Sequence, residues 1–466
     1  MLNDLIIRLK KLNIKLSLDQ EELIIDAPKG ALTGELITEL KQYKPAIIAY
    51  LQSQGRSPVM TIETLKAEAD SAAAVLPKSI VYQRRIIQEY SILLTGVTGF
   101  LGIFILKELL EQTDAIIYCL TRAKDLKLAE ARIRENLQLY LLAENIDFHR
   151  VKPLAGDLTQ PNLGLASSVH ADLALNIDAI YHNGALVHHT TPYHRLKSTN
   201  VLGTQRILQL ACASKTKPVH FISTISVFNF DRGDNTLTVK EQDNIEQYHA
   251  PLGGYAQSKW VAEKLVRIAG DHGLPVTIHR VGPVSGSSKT GAFNQNDFLY
   301  RLILGYVKLG SAPEGEMLLD ILPVDFVSQA IVCLSQQENS WGKAFHLIHE
   351  QPASSDLLFR CLNAAGYQIK RTPYQKWYRE LIDIAKNSPN HILYPLVSLF
   401  SANNSGEAQD KSFNLKFDCQ NVLSGLASSS YVCPGINEVL INTYITYLKK
   451  RGLLTSSLEN YIQRET

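Results

Sequence analysis

The spacing of apolar residues divides the chain into three segments with different periodicities. Over residues 1–54, apolar residues recur at helical spacing, pass through two short runs, and return to helical spacing. The two runs, Lys15 to Leu18 and Glu22 to Ile25, predict short strands around a polar turn. We therefore expect a small α+β unit whose thin core leaves apolar surface for an interface.

The middle segment, residues 91–285, alternates short β-branched runs with helical ones. Six strands are predicted, at Ile92–Thr95, Ala115–Thr121, Val151–Ala155, Ala179–Asn183, Val219–Ser223 and Val276–Arg280. This alternation is typical of a doubly wound parallel α/β sheet, the Rossmann arrangement, with helices on both faces. Residues 55–90 read as a linker and an Ala-rich lead-in helix.

The last segment, residues 286–466, is irregular and mostly helical in its pattern. We interpret it as a subdomain that covers a substrate, with a polar loop near Ser401 to Lys411. The expected architecture is thus a small N-terminal unit, a doubly wound parallel sheet, and a helical C-terminal subdomain.

Composition narrows the class of protein. A chain of 466 residues, 45% hydrophobic and with a formal net charge of +2, is typical of a globular protein of two or three domains and gives no argument for nucleic-acid binding. The six cysteines lack metal-ligand spacing, so we expect reduced thiols and no metal. Neither a signal peptide nor an apolar run of about 20 residues is visible, so we expect a cytoplasmic protein that does not enter a membrane.

A glycine-rich turn follows the first strand of the middle segment. Its glycines have the spacing GxxGxxG, directly after an apolar strand and before a helical run. Glycine permits the tight turn and lets the backbone approach a pyrophosphate at the positive end of the helix. The turn therefore predicts a dinucleotide site, formed here by Thr95, Gly96, Thr98, Gly99, Phe100, Leu101 and Gly102.

The residue after the second strand indicates which dinucleotide binds. An NAD site has a carboxylate about 20 residues beyond the glycines, but Arg122 occupies that position here. A guanidinium suits a 2′-phosphate through charge-assisted bonds, so we predict NADPH. Further cofactor residues are expected after the third and fourth strands, namely Asp157 and Leu158, and then Asn183, Gly184 and Ala185.

Two Tyr-x-x-x-Lys pairs occur, beginning at Tyr193 and Tyr255. Only Tyr255 and Lys259 follow the strand whose end supplies Thr224, and the carboxyl ends of parallel strands meet at the ligand crevice. Tyr193 follows a proline and is expected to begin a helix as a packing residue.

The charge that develops during carbonyl reduction assigns a role to each of the three side chains. Hydride addition leaves negative charge on the carbonyl oxygen, to which Tyr255 can donate a hydrogen bond and then a proton, with Thr224 as a second donor. Lys259 is expected to lower the pKa of the tyrosine and to reach the nicotinamide ribose.

At these residues the chain resembles the extended short-chain dehydrogenase/reductases and, more narrowly, the thioester reductase domains that terminate nonribosomal peptide and polyketide assembly lines. The narrower resemblance rests on a run of motifs, namely Gly254–Glu263, Pro192-Tyr193 followed by Asn200–Thr204, Lys289–Asn294 with Asp297–Leu299, and Pro323–Ser328. The resemblance implies that Thr224, Tyr255 and Lys259 are catalytic and that NADPH is the reductant. It also implies that an acyl thioester on a carrier protein's phosphopantetheine arm is reduced to an aldehyde, and with a second NADPH to an alcohol.

Two positions depart from the family pattern. Arg280-Val-Gly-Pro283 replaces the usual Arg-Pro-Gly, and His188 stands where Asn is frequent. Both departures bear on substrate fit more than on the chemistry, and we expect a structural role for His188.

Residues 1–54 resemble the tubulysin-type N-terminal docking domain, through Leu23–Gly30 and Lys44–Ile48. The resemblance implies an upstream synthase as partner, which could bind by strand addition or helix docking. The Ser-bearing carrier motif is missing, so we expect a freestanding reductase.

Two other functions stay open from the sequence alone. One is a nucleotide-sugar epimerase or dehydrogenase, which uses a similar fold and the same three side chains; Arg122 argues against it. The other is a docking adaptor with a catalytically silent reductase fold, which the intact trio disfavours.

Overall fold

The computed structural model describes residues 60–454, apart from 84–88, 145, 189–190, 230–237, 316, 387–392, 394–395, 398–399 and 401–415. Within the first 59 residues it describes positions 9, 14–19, 22–28, 31–34, 36–37, 39–40, 43–44 and 47. The chain forms two compact units, Met1–Thr61 and Ile62–Thr466. The predicted polar loop near Ser401 to Lys411 lies outside the described residues.

The first unit contains an antiparallel strand pair, β1 (Lys15–Asp19) and β2 (Glu22–Asp26), with Leu16 opposite Ile25. Both strands predicted for this unit are present. Its core is small, as the length of the unit requires. The fully buried apolar residues of this core are Leu9, Ile14, Leu36, Leu40 and Ile47.

The second unit alternates strands and helices through its first half. In chain order these are α1 (Ile62–Ala73), β3 (Ser91–Thr95), α2 (Phe100–Gln112), β4 (Ile116–Thr121), α3 (Leu126–Leu139), β5 (Val151–Ala155), α4 (Ser167–Asn176), β6 (Ala179–His182), α5 (Tyr193–Asn200), α6 (Leu202–Cys212), β7 (Val219–Thr224), β8 (Thr238–Val239), α7 (Gly254–Asp271), β9 (Val276–Val281) and β10 (Val284–Ser285). The second half contains α8 (Phe298–Leu309), β11 (Ser311–Pro313), β12 (Leu318–Leu319), β13 (Leu322–Pro323), α9 (Val324–Ser335), β14 (Ala344–Leu347), β15 (Ala353–Ser354), α10 (Asp356–Ala364), β16 (Lys370–Thr372), α11 (Tyr374–Lys386), β17 (Lys416–Phe417), α12 (Gln420–Leu426) and α13 (Glu438–Lys450).

Seven strands form one parallel sheet in the order β14-β9-β7-β6-β3-β4-β5. The chain runs outward from β3 in one direction through β4 and β5, and in the other through β6, β7 and β9. The doubly wound α/β fold predicted from the sequence is thus confirmed. The strand order reverses between β3 and β6, and a ligand crevice is expected beyond their carboxyl ends.

The six predicted strands are all present, and the sheet gains a seventh that the sequence did not predict. Strand β14, Ala344–Leu347, lies in the segment interpreted as mostly helical and pairs in parallel with β9, with Phe345 opposite His279. It is four residues long and buried throughout, so it shows neither strand alternation nor helical spacing.

Helices cover the sheet and complete its core. Helix α9 packs against α2, and the lead-in helix α1 packs against α7. The C-terminal half is mostly helical, as predicted, with short strand pairs β10–β13, β11–β16 and β12–β15. Among the residues that the structure describes, no helix is long and apolar enough to cross a membrane.

Candidate active site

The glycine-rich turn joins β3 to α2 and approaches the end of β6 closely. Gly96 has a φ of +74°, in the region that favours glycine, and a Cβ there would lie 2.8 Å from the Cα of Gly184. A Cβ on Gly102 would lie 2.0 Å from the carbonyl oxygen of Gly96. Gly99 precedes the first residue of α2 and has no side chain to cap it. The N–H groups at the start of α2 are therefore available to an anion.

The other residues predicted for this turn are placed around it. Thr98 is half-buried between β3 and α2. Phe100 and Leu101 pack against the core, and the Phe100 ring lies 5.4 Å from that of Phe104. These two residues can therefore offer a cofactor their backbone rather than their side chains.

A chain of hydrogen bonds joins the ends of β3 and β6. Burial lowers the pKa of His182 to about 3, so its ring is neutral. The Thr204 hydroxyl donates to the carbonyl oxygen of Asn200 over 2.6 Å, so it accepts from Nε2 of His182, 3.0 Å away. Nδ1 of His182 then accepts from Thr95, 2.8 Å away, whose Oγ1 accepts from the N–H of Gly184 over 2.9 Å. His182 and Thr204 are support residues that the sequence analysis missed.

Asn183 and Leu158 close the same region. The side-chain amide of Asn183 donates to the carbonyl oxygen of Gly96 over 3.2 Å. Leu158 Cδ1 would lie 2.8 Å from a Cβ on Gly184, and Ala185 follows half-buried. The structure thus brings together the cofactor residues predicted after β3, β5 and β6.

A groove of about 490 Å³ lies beyond the carboxyl ends of β4 and β5. Arg122, Lys124 and Arg132 place three cationic side chains along it, and Asp157 lines it from the β5 side. A guanidinium nitrogen of Arg132 donates to the carbonyl oxygen of Arg122. The Asp157 carboxylate accepts from the backbone and hydroxyl of Thr159, each at 2.8 Å.

This cationic groove fits a phosphate group beside the dinucleotide turn. Arg122 was predicted from the sequence, whereas Lys124 and Arg132 were not. Arg132 lies one helical turn after Leu128 on α3 and both line the groove, but only the folded structure shows this.

Tyr255 and Lys259 lie in the first turns of α7. Gly253 and Gly254 precede Tyr255, and a Cβ on Gly254 would lie 2.4 Å from backbone atoms of Thr191 and Tyr193. The start of α7 therefore lies against the segment that follows β6.

Lys259 ties this helix to strand β7. Its side chain is 4% exposed, and Nζ donates to the carbonyl oxygen of Ile222 over 2.7 Å. It also lies 4.1 Å from the centre of the Phe221 ring. Thr224, the last residue of β7, is buried, and its Oγ1 accepts from the N–H of Ser226 over 3.2 Å. The structure thus holds the helix of Tyr255 and Lys259 against the strand that ends at Thr224.

Burial shifts the pKa values of the tyrosine and the lysine in opposite directions. It lowers the pKa of Lys259 to about 7, against an opposing contribution from Glu263, and raises the pKa of Tyr255 to about 12. The expectation that Lys259 lowers the tyrosine pKa is therefore wrong for this arrangement, because burial dominates and the ammonium is directed to a backbone carbonyl.

Asn200 and Ser258 fix the start of α7 to the loop after β6. Asn200 accepts from the N–H of Leu186 over 2.7 Å and donates to its carbonyl oxygen over 3.1 Å. It also donates to Oγ of Ser258 over 2.9 Å, and that hydroxyl donates to the carbonyl oxygen of Tyr255 over 2.7 Å. Sequence reasoning gave neither residue a role, although both lie in the quoted motifs.

Tyr193, of the second Tyr-x-x-x-Lys pair, begins a helix and packs in the interior, as predicted. Tyr193 is the first residue of α5 and is buried, and its hydroxyl donates to Glu68 over 3.0 Å. Lys197 pairs with the same carboxylate at 2.6 Å. His188 is exposed, and its Nδ1 lies 2.8 Å from the Thr191 hydroxyl, so this histidine has a local structural contact.

Comparison with known proteins follows the same division of the chain. A family model described as "Male sterility protein" matches residues 94–331, and one described as "TubC N-terminal docking domain" matches residues 2–53. A linear gramicidin synthase protein of Brevibacillus parabrevis is 40% identical over 364 residues, which are 78% of this chain and 7% of that protein. The large subunit of L-2-aminoadipate reductase from Eremothecium gossypii is 33% identical over 384 residues, 78% of this chain and 27% of that protein. The chain therefore spans a minor part of these relatives.

Among solved structures, the likeness extends over most of the chain. The terminal R domain from the myxalamid PKS-NRPS biosynthetic pathway is 40% identical, with a TM-score of 0.76, over 85% of this chain and 99% of that one. A UDP-glucuronic acid 4-epimerase from Bacillus cereus is 17% identical with a TM-score of 0.52, over 78% of this chain and 99% of that one, a likeness of fold alone.

Proposed function

We propose that this chain, which belongs to the male sterility protein family, reduces an acyl or peptidyl thioester to an aldehyde with NADPH. The thioester would be carried on the phosphopantetheine arm of a carrier protein. The observation that carries the proposal is the bond from Lys259 to the carbonyl oxygen of Ile222, because it holds Tyr255 and Lys259 beside the strand that ends at Thr224. The 40% identity to a terminal R domain supports the choice of a thioester as substrate.

The residues around the glycine-rich turn fit a dinucleotide with a 2′-phosphate. Neither Gly96 nor Gly102 has room for a Cβ, so the tight turn that precedes the start of α2 depends on glycine at both positions, as the dinucleotide-binding pattern requires. The groove with Arg122, Lys124 and Arg132 would hold the 2′-phosphate. Bound NADPH would supply a hydride to the substrate's carbonyl carbon.

The chain's own side chains would stabilise and protonate the substrate oxygen. Tyr255 would donate a hydrogen bond to the oxygen as negative charge develops there, and Thr224 a second one. Lys259, one helical turn from Tyr255, has a pKa of about 7 through burial and adds positive charge while it is protonated. The hemithioacetal formed in this way expels the pantetheine thiol and leaves an aldehyde, and the same groups can serve a second reduction to the alcohol.

The first unit supports delivery of the reductase to an upstream synthase. Residues 2–53 match a docking-domain model, and the β1–β2 pair offers edges to which a partner segment could add. We therefore propose that residues 1–54 bind an upstream assembly-line protein in the cytoplasm.

A panel of acyl-pantetheine thioesters, incubated with the full chain and NADPH, tests the activity. We expect one thiol to be released for each aldehyde or alcohol formed, with one NADPH oxidised per aldehyde and two per alcohol, the two products being separated by mass spectrometry. NAD with nucleotide sugars forms the comparison arm. Turnover of a nucleotide sugar without reduction of any thioester would favour an epimerase or dehydrogenase. A protein that turns over neither class of substrate would instead be a docking adaptor with a catalytically silent fold.

Affinity capture from the producing cells tests the docking unit. The full chain is expected to recover an assembly-line synthase that a variant lacking residues 1–54 does not. Recovery of the same synthase by both proteins would reject the role of the first unit while leaving the reductase activity in place.

A further inference from the structure

We infer that Glu263 is a positioning residue for the proposed reduction, because its carboxylate ties the helix of Tyr255 and Lys259 to the strand that ends at Thr224. The inference rests on the proposed function, and it concerns a residue that touches the catalytic elements rather than the substrate.

The first support is a pair of contacts between α7 and β7. The Ser223 hydroxyl donates to Oε2 of Glu263 over 2.6 Å, and Lys259 donates to the carbonyl oxygen of Ile222 over 2.7 Å. Ile222 and Ser223 are consecutive in β7, and Lys259 and Glu263 are one helical turn apart in α7. The two contacts therefore fix the distance between α7 and β7 and the position of the helix along the strand. Both lie immediately before Thr224.

The second support is that the carboxylate is itself held from the far side. Arg280 of β9 donates to Oε1 of Glu263 from Nη2 at 2.8 Å and from Nε at 3.1 Å, and both side chains are fully buried. Arg267 adds a bond of 3.1 Å to the same oxygen. Burial acts to raise the pKa of Glu263, but the two guanidinium groups outweigh it and hold the value at about 2. The carboxylate thus stays ionised and accepts from Ser223 throughout the working pH range.

Arg280 is fixed in turn by the seventh strand. Its Nη1 donates to Nε2 of His346 in β14 over 2.9 Å, and Nδ1 of His346 donates to the carbonyl oxygen of Asp418 over 2.8 Å. Arg280 is the first residue of the motif Arg280-Val-Gly-Pro283, which otherwise departs from the family pattern. It therefore links the Glu263 carboxylate to strands β9 and β14. A buried ion pair such as Glu263–Arg280 is weak evidence for a role in stability. A shift of about 1 Å between reacting groups can, however, slow a reaction about 100-fold, so we assign the pair a role in positioning.

Two buried serines, one in strand β7 and one in helix α9, offer a pair of variants with the same chemical change. Ser223 and Ser335 are 4% and 5% exposed, and each hydroxyl donates a short hydrogen bond, Ser335 to the carbonyl oxygen of Ile331 over 2.6 Å. Oγ of Ser335 also lies 3.1 Å from Nε2 of His279, so Ser335→Ala loses at least as many polar contacts as Ser223→Ala. Ser223→Ala removes the contact to Glu263 and leaves the ion pair with Arg280 intact. Ser335→Ala makes the same chemical change in α9, which carries none of the proposed catalytic residues.

The full chain is assayed with an acyl-pantetheine thioester and NADPH. We expect Ser223→Ala to lower kcat about tenfold or more with an unchanged Kd for NADPH, because the catalytic groups lose their mutual position. Hydride transfer should then limit the rate, so the isotope effect with NADPH deuterated at the transferred position should rise. Ser335→Ala should keep the wild-type kcat and isotope effect, with a Tm lowered to a similar extent.

The outcomes separate the two claims. A wild-type protein that reduces no thioester rejects the proposed function. A wild-type protein that is active, with equal kcat and isotope effect in Ser223→Ala and Ser335→Ala, rejects only the positioning role. Glu263→Gln is the less suitable variant because it leaves Arg280 with an unpaired buried charge and endangers folding.

Discussion

The side-chain amide of Asn200 donates to Oγ of Ser258 over 2.9 Å while the same side chain pairs with both backbone groups of Leu186. One buried side chain therefore joins the first turns of α7 to the loop after β6. Replacing it by alanine leaves several buried polar groups without their partner. We predict that Asn200→Ala lowers the free energy of unfolding by about 1–3 kcal/mol, measured by urea denaturation.

Asn136→Ala serves as the control for this change. The Asn136 amide donates a single bond of 2.8 Å to the carbonyl oxygen of Arg132 in the same helix, near the surface. Its loss should change the free energy of unfolding by about 0.5 kcal/mol or less. Equal losses in the two variants would contradict the bridging role of Asn200.

Tyr255→Phe should remove the proton donor and leave the cofactor site intact. We expect the rate of NADPH-dependent reduction to fall about 100- to 10,000-fold, with unchanged affinity for NADPH. Stopped-flow absorbance gives the rate, and fluorescence titration gives the affinity. The same substitution at Tyr193 removes only a bond to Glu68 and should preserve the rate. Comparable rates in both variants would remove Tyr255 from the mechanism.

Arg122→Ala should discriminate between the two nicotinamide cofactors. Loss of charge-assisted bonds to a 2′-phosphate is expected to weaken NADPH binding about 10- to 100-fold and to leave NADH binding unchanged. Isothermal titration with each cofactor measures both effects. Arg134→Ala provides the control, because Arg134 pairs with Glu130 within α3 and is not among the residues that line the groove. A similar loss for both cofactors would contradict the assignment.

Lys259 predicts a specific dependence of stability on pH. Its folded-state pKa of about 7 lies below its ordinary value of 10.5. Between these values the unfolded chain binds more protons than the folded one, so this residue makes stability rise with pH, by up to about 1.4 kcal/mol per pH unit.

Lys259→Met retains the apolar stem and removes the titrating group. The free energy of unfolding of the wild type, minus that of the variant, should therefore increase from pH 7 to pH 9 in guanidinium titrations. A difference that stays constant over this range would show that the ammonium is not buried as described.

The sequence predicted what depends on local order along the chain. Strand β3, the glycine-rich turn and α2 follow one another directly, so their periodicity and glycine spacing were sufficient. The placement of Tyr255, rather than Tyr193, on the helix that lies against β7 was also predictable, because chain order fixes which residues follow β7 in a parallel sheet. How deeply the Tyr255 side chain is buried could not be predicted in this way. The predicted direction of its pKa shift was therefore wrong, because burial raises that pKa.

The remaining features depend on contacts between distant segments. Glu263 meets Ser223 and Arg280 only because α7 packs across β7 and β9. Lys124 and Arg132 become part of one groove only when α3 folds back beside the end of β5. No periodicity along the chain carries such information, since each of these side chains would be an ordinary polar residue in its own element.

Strand β14 completes the sheet with residues synthesised long after its neighbour β9. Until Leu347 has left the ribosome, the outer border of β9 presents unpaired N–H and C=O groups. A chain that terminates prematurely or is clipped within this interval keeps that border open, and such fragments will be prone to self-association. The sheet is thus complete only after residues far beyond α7 have been synthesised. Fragments that end between β9 and β14 include every proposed catalytic residue but will still be poor candidates for isolated expression.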